Sequence, residues 1–483
     1  MNDATRPSAE PPRAAAGDDD DLRRLFEATR TASHADPAPG WPVRRDRLLR
    51  LRALVRDGLD AFAAAISADF GHRPAAETQL LEAFPSIHGI DHALRHGAAW
   101  SRPRPRRTGW LFRPGRSLLW PQPLGVVGIV VPWNYPLYLA VGPLTGALVA
   151  GNRALVKMSE STPRFSSAFA EAVGRVFAAD EIAVLEGDAD VGRAFCALPF
   201  DHLLFTGSTA VGHDVMRAAS ANLTPVTLEL GGKSPAIVGP GADFDRAVER
   251  IMVGKLVNAG QTCIAPDYVL VPEGSQARFV EAARRAVGRL YPRFAQTPDY
   301  ASIVDARHLQ RLQGLAEEAA ASGARCTWLA DASGSPFERR LAPAVLTGVD
   351  DRMRIMRQEI FGPLLPVCGY RSLDDAIAQV ESRPRPLALY LFERDGATID
   401  RVLARTVAGG VTVNDTLLHI AQDELPFGGV GASGMGAYHG RAGFETFSAV
   451  KPVYRQSRLN GAGLLGAPYG ARFERAMRLL LRR

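Results

Sequence analysis

At 483 residues the chain is long enough for two or three domains, each with its own core. Hydrophobic residues make up 46% and charged residues 22%, the balance of a globular protein, and apolar runs such as 125–131 and 144–150 are too short to cross a bilayer. Net charge is +6, but the arginines are scattered among acids rather than clustered with aromatic rings, which sets nucleic acid aside as a partner.

Only four of the 57 basic residues are lysines: Lys157, Lys233, Lys255 and Lys451. In a chain that uses Arg by default, each marks a place where a compact ammonium serves better than a broad guanidinium. The cysteines, Cys196, Cys263, Cys326 and Cys368, show no CxxC spacing, which argues against a disulfide framework or a zinc site. No metal ligands are therefore named, and a reducing, cytoplasmic setting is expected.

The N-terminal stretch has no apolar core and reads as a disordered tail over residues 1–21. Residues 22–100 read as helices: Leu48, Leu51, Leu54, Val55 and Leu59 recur at helical spacing, and Trp41-Pro42 marks the break before them. Residues 77–94 supply another helix. Residues 102–116 (RPRPRRTGWLFRPGR) suit an extended arm across another surface or a solvated linker.

From Leu124 strands alternate with helices. Residues 125–131 (GVVGIVV) form a buried-strand run, followed by Pro132-Trp133-Asn134-Tyr135-Pro136 and an apolar helix to about Ala150. A short strand at 154–157 precedes a helix in which Thr162 caps and Pro163 opens the first turn. Strands at 182–185 and 202–205 lead to Thr206-Gly207-Ser208, which opens a further helix. This βαβ succession predicts a doubly wound parallel sheet. The loop G-S-T-A-V-G lacks the GxGxxG dinucleotide fingerprint, although a helix start offers free N–H groups to a pyrophosphate.

A second α/β unit begins at Val226, with strands at 226–230 and 235–238 and a helix over 242–258. That helix delivers the chain to Gly260-Gln261-Thr262-Cys263. A strand at 268–271, helices over 276–291 and 301–322, a turn at 357–363 and a strand at 410–414 follow. Residues 425–436 (LPFGGVGASGMG) are too rich in glycine for regular structure. Residues 469–483 form a short basic amphipathic helix, fit for a membrane surface or a partner subunit.

Cys263 lies in a run of small and amide residues, and Glu229 stands ahead of a glycine pair in ELGGK. A thiol with room for a carbon to approach, and a carboxylate able to swing towards it, are the elements of nucleophilic catalysis followed by water activation. Seven segments together resemble the NAD(P)-dependent aldehyde dehydrogenases. They are Pro132-Trp133-Asn134, Lys157-Met158-Ser159-Glu160, Phe205-Thr206-Gly207-Ser208, residues 228–233, 260–263 and 359–363, and Pro426-Phe427-Gly428-Gly429. They fall in the family's order across about residues 45–455. GQTCIAPDYV and LPFGGVGASGMGAYHGRAGF are similar to the class 3 branch, and NDTLLHIAQDELPFGG to its bacterial coniferyl aldehyde dehydrogenases.

The resemblance implies a three-part α/β architecture: a Rossmann-like cofactor domain (22–101 and 125–228), an α/β catalytic domain (229–412) and a β oligomerisation arm (102–124 and 413–455), with a tail at 456–483. It implies a homodimer and oxidation of an aldehyde, aromatic or aliphatic. Cys263 would attack the carbonyl, Asn134 and the Cys263 backbone N–H would hold the oxyanion, and Glu229 would activate the hydrolytic water. Lys157 and Glu160 would bond the adenosine ribose, with Glu160 favouring NAD+ over NADP+ by repelling a 2′-phosphate. Gly207 and Ser208 would face the pyrophosphate, Glu359 would hold the nicotinamide ribose beside Phe361, and Trp133 would line the cleft or sit in the core. Tyr135, Leu139, His419, Phe427 and Phe444 are candidates for an apolar substrate entrance or for plain core. Acyl transfer to coenzyme A and a non-catalytic scaffold are the competing readings; Glu229 opposes the first, and the intact set of Cys263, Glu229, Asn134 and Lys157 opposes the second.

Overall fold

Val126–Val130 and His202–Gly207 are buried except at their last residues and lie side by side in the middle of a six-stranded sheet. They belong to a computed structural model that describes residues 19–460 and 466–481. The strand order is Gly434–Met435, Val226–Leu230, His202–Gly207, Val126–Val130, Arg153–Lys157, Ile182–Leu185. The five longer strands are parallel; Gly434–Met435 closes one edge antiparallel, with Gly434 opposite Glu229. After Val130 the chain builds outward on one side, then crosses back to lay His202–Gly207 on the other. The carboxyl ends of those two neighbours therefore flank a topological switch point, where ligands of open α/β sheets bind. One leads into Trp133-Asn134 and the other into Ser208.

Burial on both faces explains the near-continuous apolar sequence of these strands. The helix Pro163–Val176 starts where its proline predicts, but Thr162 is not its side-chain cap: the hydroxyl is buried without a partner among the described residues. The helix Leu59–Phe70 packs Phe62 edge-on against Phe165 (5.6 Å) and brings Asp69 over the terminus. Its carboxylate accepts from the N–H groups of Arg164 (3.1 Å) and Phe165 (2.9 Å). A carboxylate supplied from another helix has displaced the local cap.

The second sheet has seven strands, in the order Arg325–Trp328, Ala344–Thr347, Leu364–Tyr370, Tyr268–Pro272, Pro235–Val238, Ala388–Phe392, Gly410–Val413. Four of them, Arg325–Trp328, Ala344–Thr347, Leu364–Tyr370 and Ala388–Phe392, have no counterpart in the sequence reading. Arg116–Pro123 and Ser448–Arg455 pair antiparallel over their full lengths, and Arg104–Arg106 completes a three-stranded sheet. Of residues 413–455, only the last eight join this three-stranded sheet; Gly434–Met435 joins the six-stranded sheet instead. The glycine-dense stretch thus carries a two-residue strand.

Residues 1–18 of the expected tail lie outside the described residues, and its last three are already helical, in Asp19–Ala35. At the other end Ala471–Leu480 is a helix with no buried residue. No helix among the described residues is long and apolar enough to cross a membrane.

Candidate active site

Cys263 is delivered by a backbone that few residues tolerate. The helix Phe244–Leu256 ends in a tight turn, Val257–Gly260, in which Asn258 (φ 49°) and Ala259 (φ 51°) are left-handed and Gly260 (φ 76°) follows. A Cβ on Gly260 would collide with the carbonyl oxygen of Gly362. Two non-glycine residues in this region cost about 1–3 kcal/mol each, so neighbours must hold them. Asn258 N–H donates to Glu77 Oε2 (3.0 Å), and Gln261 Nε2 donates to the carbonyls of Asn258 (2.9 Å) and Ser302 (3.0 Å). Gln261 Oε1 accepts from Val304 N–H (2.9 Å).

Asn134 approaches this loop from the other sheet. Its Nδ2 donates to Gln261 O (3.2 Å), and next to it the Tyr135 hydroxyl bonds Thr262 Oγ1 (2.6 Å). Glu229 sits near the end of Val226–Leu230, opposite Thr206, with both carboxylate oxygens buried and unpartnered among the described residues. Burial holds its carboxyl well above the ordinary range. Burial also pushes the Cys263 thiol up to about 12, helped by the negative charges of Glu359 and Glu229. The sulfur and both carboxylates therefore share one electrostatic environment, in which the free protein holds a thiol and not a thiolate.

Glu359 is pushed up to about 8, first by burial and then by Asp267, against a hydrogen bond from the Gly232 backbone. A frame fixes the turn around it. Lys233 Nζ pairs with Asp267 and donates to Ile355 O (2.8 Å), Asp267 Oδ1 accepts from Ile360 N–H (3.0 Å), and Arg311 donates to Glu359 O (3.3 Å). Phe361 is left-handed (φ 50°) and meets Trp133 edge-on at 5.3 Å. Trp133 is half-buried and also touches His308 (5.0 Å), so it bridges the two sheets' loops.

At the switch point, Lys157 Nζ donates to Met158 O (2.6 Å) and Gly187 O (2.8 Å), leaving one of its three N–H groups, with exposed Glu160 close enough to act on its charge. Gly207 ends its strand and Ser208 caps the helix Thr209–Ser220, accepting from Val211 N–H at 3.4 Å. Thr206 Oγ1 and Glu359 Oε1 are buried without partners among the described residues. Unused donors and acceptors around a helix N-terminus fit a ligand that carries ribose hydroxyls and phosphates.

Behind Asn134 lies a buried ionic group that sequence reading did not single out. Arg73 Nη1 donates to Glu82 Oε1 (2.6 Å) and to Asn134 O (3.3 Å), and its guanidinium lies over the Tyr135 ring (4.9 Å). Glu82 Oε2 accepts from the N–H groups of Leu137 (2.8 Å) and Tyr138 (3.2 Å), bonding the start of the next helix. Glu82 belongs to a π-helical turn, Gln79–Ala83, a distortion frequent at functional sites. Of the entrance candidates, Phe444 packs against Trp100 (5.9 Å) in the core. Tyr135, Leu139 and Phe427 are buried, and His419 stacks on Phe427 (6.2 Å) while bonding Thr412 (2.9 Å).

Residues 7–453 match the profile of the Aldehyde dehydrogenase family. The chain belongs to that family. It is 51% identical over 449 residues to a probable coniferyl aldehyde dehydrogenase of Pseudomonas aeruginosa, covering 93% of this chain and 94% of that one. Identity is 46% over 454 residues to the coniferyl aldehyde dehydrogenase of a Pseudomonas species, with the same coverage. Among solved structures, a substrate-bound state of Staphylococcus aureus AldH superposes with a TM-score of 0.89 at 36% identity, over 95% of this chain and 99% of that one. The α/β architecture is the aldehyde dehydrogenase fold, and the protein is an NAD(P)-dependent aldehyde dehydrogenase close to the coniferyl aldehyde dehydrogenases.

Proposed function

We propose that this aldehyde dehydrogenase oxidises aromatic aldehydes of the coniferyl type to their acids, with Cys263 as nucleophile and Glu229 as base. The carrying observation is that Glu229 is buried, lacks any hydrogen-bond partner among the described residues and acts electrostatically on the Cys263 thiol. A carboxylate with no structural bond to lose is free to take a proton from the thiol, release it to solvent, and later take one from water.

The sulfur adds to the carbonyl carbon, and the oxygen that becomes negative is received by Asn134 Nδ2 and the Cys263 backbone N–H. Loss of one such donor typically costs about 100- to 1000-fold in rate. Asn134 must exchange its bond to Gln261 O for one to the oxyanion, and the Arg73–Glu82 pair keeps its backbone still meanwhile. Bound NAD(P)+ supplies the acceptor for the hydride that leaves the tetrahedral carbon. Glu229 then deprotonates the water that cleaves the resulting thioester and frees the acid.

Lys157, Glu160, Gly207 and Ser208 would hold the adenosine ribose and pyrophosphate, and Glu359, Phe361 and Trp133 the nicotinamide end. Exposed Glu160 favours NAD+ by repelling a 2′-phosphate. The arm offers Trp110, Leu111 and Phe112 in exposed positions beside the three-stranded sheet, which suits a homodimer. Coniferyl substrate rests on the names of relatives at 51% and 46% identity over nearly full length. The test is NAD+ reduction with coniferyl aldehyde, benzaldehyde, hexanal and decanal. The highest kcat/KM is expected for coniferyl aldehyde; equal or better rates with the aliphatic pair would reduce the reading to a general aldehyde dehydrogenase.

A further inference from the structure

The helix Phe84–Trp100 carries His88, His92 and His96 four residues apart, so they line one face. None of them takes part in the chemistry above. The segment that brings Asp423 and Glu424 packs onto that face. Its backbone is pressed close: a Cβ on Gly440 would strike the Asp423 carbonyl, and one on Gly89 would lie 3.7 Å from Asp423 Oδ1. His88 Nδ1 meets Asp423 Oδ2 at 2.6 Å.

The next pair behaves differently. His92 is buried, and its Nε2 lies 3.2 Å from Glu424 Oε1 without forming a hydrogen bond among the described residues. His96, one turn on, brings a second imidazole, and one ligand atom each from His92, His96 and Glu424 lies within 4.8 Å of the others. Trp100 orients both rings, at 5.5 Å from His92 and 5.9 Å from His96. A buried, unpartnered imidazole nitrogen converging with a second imidazole and a carboxylate lacks only a central acceptor of lone pairs.

We propose that His92, His96 and Glu424 form a binding site for a divalent cation of Zn2+ character, which fastens the 423–424 segment to the helix Phe84–Trp100. Two imidazoles and one carboxylate are a Zn2+ donor set, and bonds of about 2.0–2.2 Å in tetrahedral geometry place ligand atoms roughly 3.3–3.6 Å apart. His92 Nε2 and Glu424 Oε1, at 3.2 Å, already stand close to that spacing. His96 and Glu424 are exposed side chains, so rotamer changes close the remaining gap. Water takes the fourth position. Cysteine spacing, the criterion that set zinc aside in the sequence, does not test this arrangement.

The site is tested on the full chain, freed of metal with a chelator and titrated with Zn2+ alone. The wild type is compared with His96→Gln and Glu424→Gln, and with His213→Gln, an exposed histidine elsewhere, as control. All four proteins keep every cysteine, so zinc held by thiols cancels in the comparison. The wild type and the control are expected to bind one equivalent of Zn2+ more than the other two, or to bind it at least about tenfold more tightly. Co2+ in the wild type should give visible ligand-field bands without a thiolate charge-transfer band, and these should fade in His96→Gln. Equal zinc stoichiometry and affinity in all four proteins, or no zinc on the wild type, overturns the proposal.

Discussion

Gly231 leaves open the space that the Glu359 carboxylate fills: a Cβ added there would overlap both carboxylate oxygens. Gly231 follows Glu229 by two residues, so the strand end that carries one acid also sets the position of the other. Gly231→Ala should push Glu359 off its place while leaving Cys263 and Glu229 in theirs. Displacement of about 1 Å in such a group lowers kcat/KM for NAD+ roughly 10- to 100-fold. Steady-state kinetics with varied NAD+ would check it; unchanged kinetics would show that Glu359 has no part in holding the cofactor.

Burial pushes the Cys263 thiol up to about 12 and raises the neighbouring Glu229 carboxyl as well. Attack requires the thiol proton to leave, so deprotonation raises activity. The sign is positive: kcat/KM for the aldehyde should climb over about pH 6 to 8, by up to roughly tenfold per unit. A flat profile over that range would show a resting thiolate and count against the buried-thiol picture.

Replacing Glu229 by Gln keeps the shape of the side chain and removes its basicity. Steady-state turnover should fall by about 100- to 10,000-fold. If Glu229 acts on water as proposed, acyl-enzyme should build up, seen as added mass on the intact protein. Turnover at the wild-type rate would remove Glu229 from the reaction.

Glu160 is exposed and close enough to Lys157 to act on its charge, and in the proposed cofactor site a 2′-phosphate on the ribose would meet it. Two unit charges 4 Å apart in water repel by about 1 kcal/mol, so Glu160→Gln should raise the NADP+/NAD+ ratio of kcat/KM roughly fivefold. An unchanged ratio would move the ribose contact to other residues.

The residues read from sequence around Cys263 share a property: they lie in short runs of small and amide residues whose chemistry is local. Glycines in ELGGK and GQTC announce tight backbone, and tight backbone is what Gly231 and Gly260 show. Arg73, Glu77 and Glu82 escaped notice because a buried charge reads the same in sequence as a surface one; only the fold brings Asn134 O to Arg73 and Asn258 N–H to Glu77. Asp69 escaped for the same reason, since it caps a helix almost a hundred residues downstream in place of Thr162. Leu364–Tyr370 carries Pro366 in its interior, which demotes a strand on sequence grounds. There it pairs in parallel with Ala344–Thr347, and Leu346 is the residue opposite the proline.

The pairing of Gly434 with Glu229 also sets an order of events during synthesis. The strand bearing Glu229 leaves the ribosome long before the one that closes its edge; about 200 residues of translation intervene, on the order of 10–40 s at typical rates. Until then the edge is a row of unsatisfied backbone groups. Ser448–Arg455 imposes a longer wait on Arg116–Pro123. Such contacts between distant parts of the chain slow folding, and nascent chains of this protein should lean on chaperones that shield open strand edges.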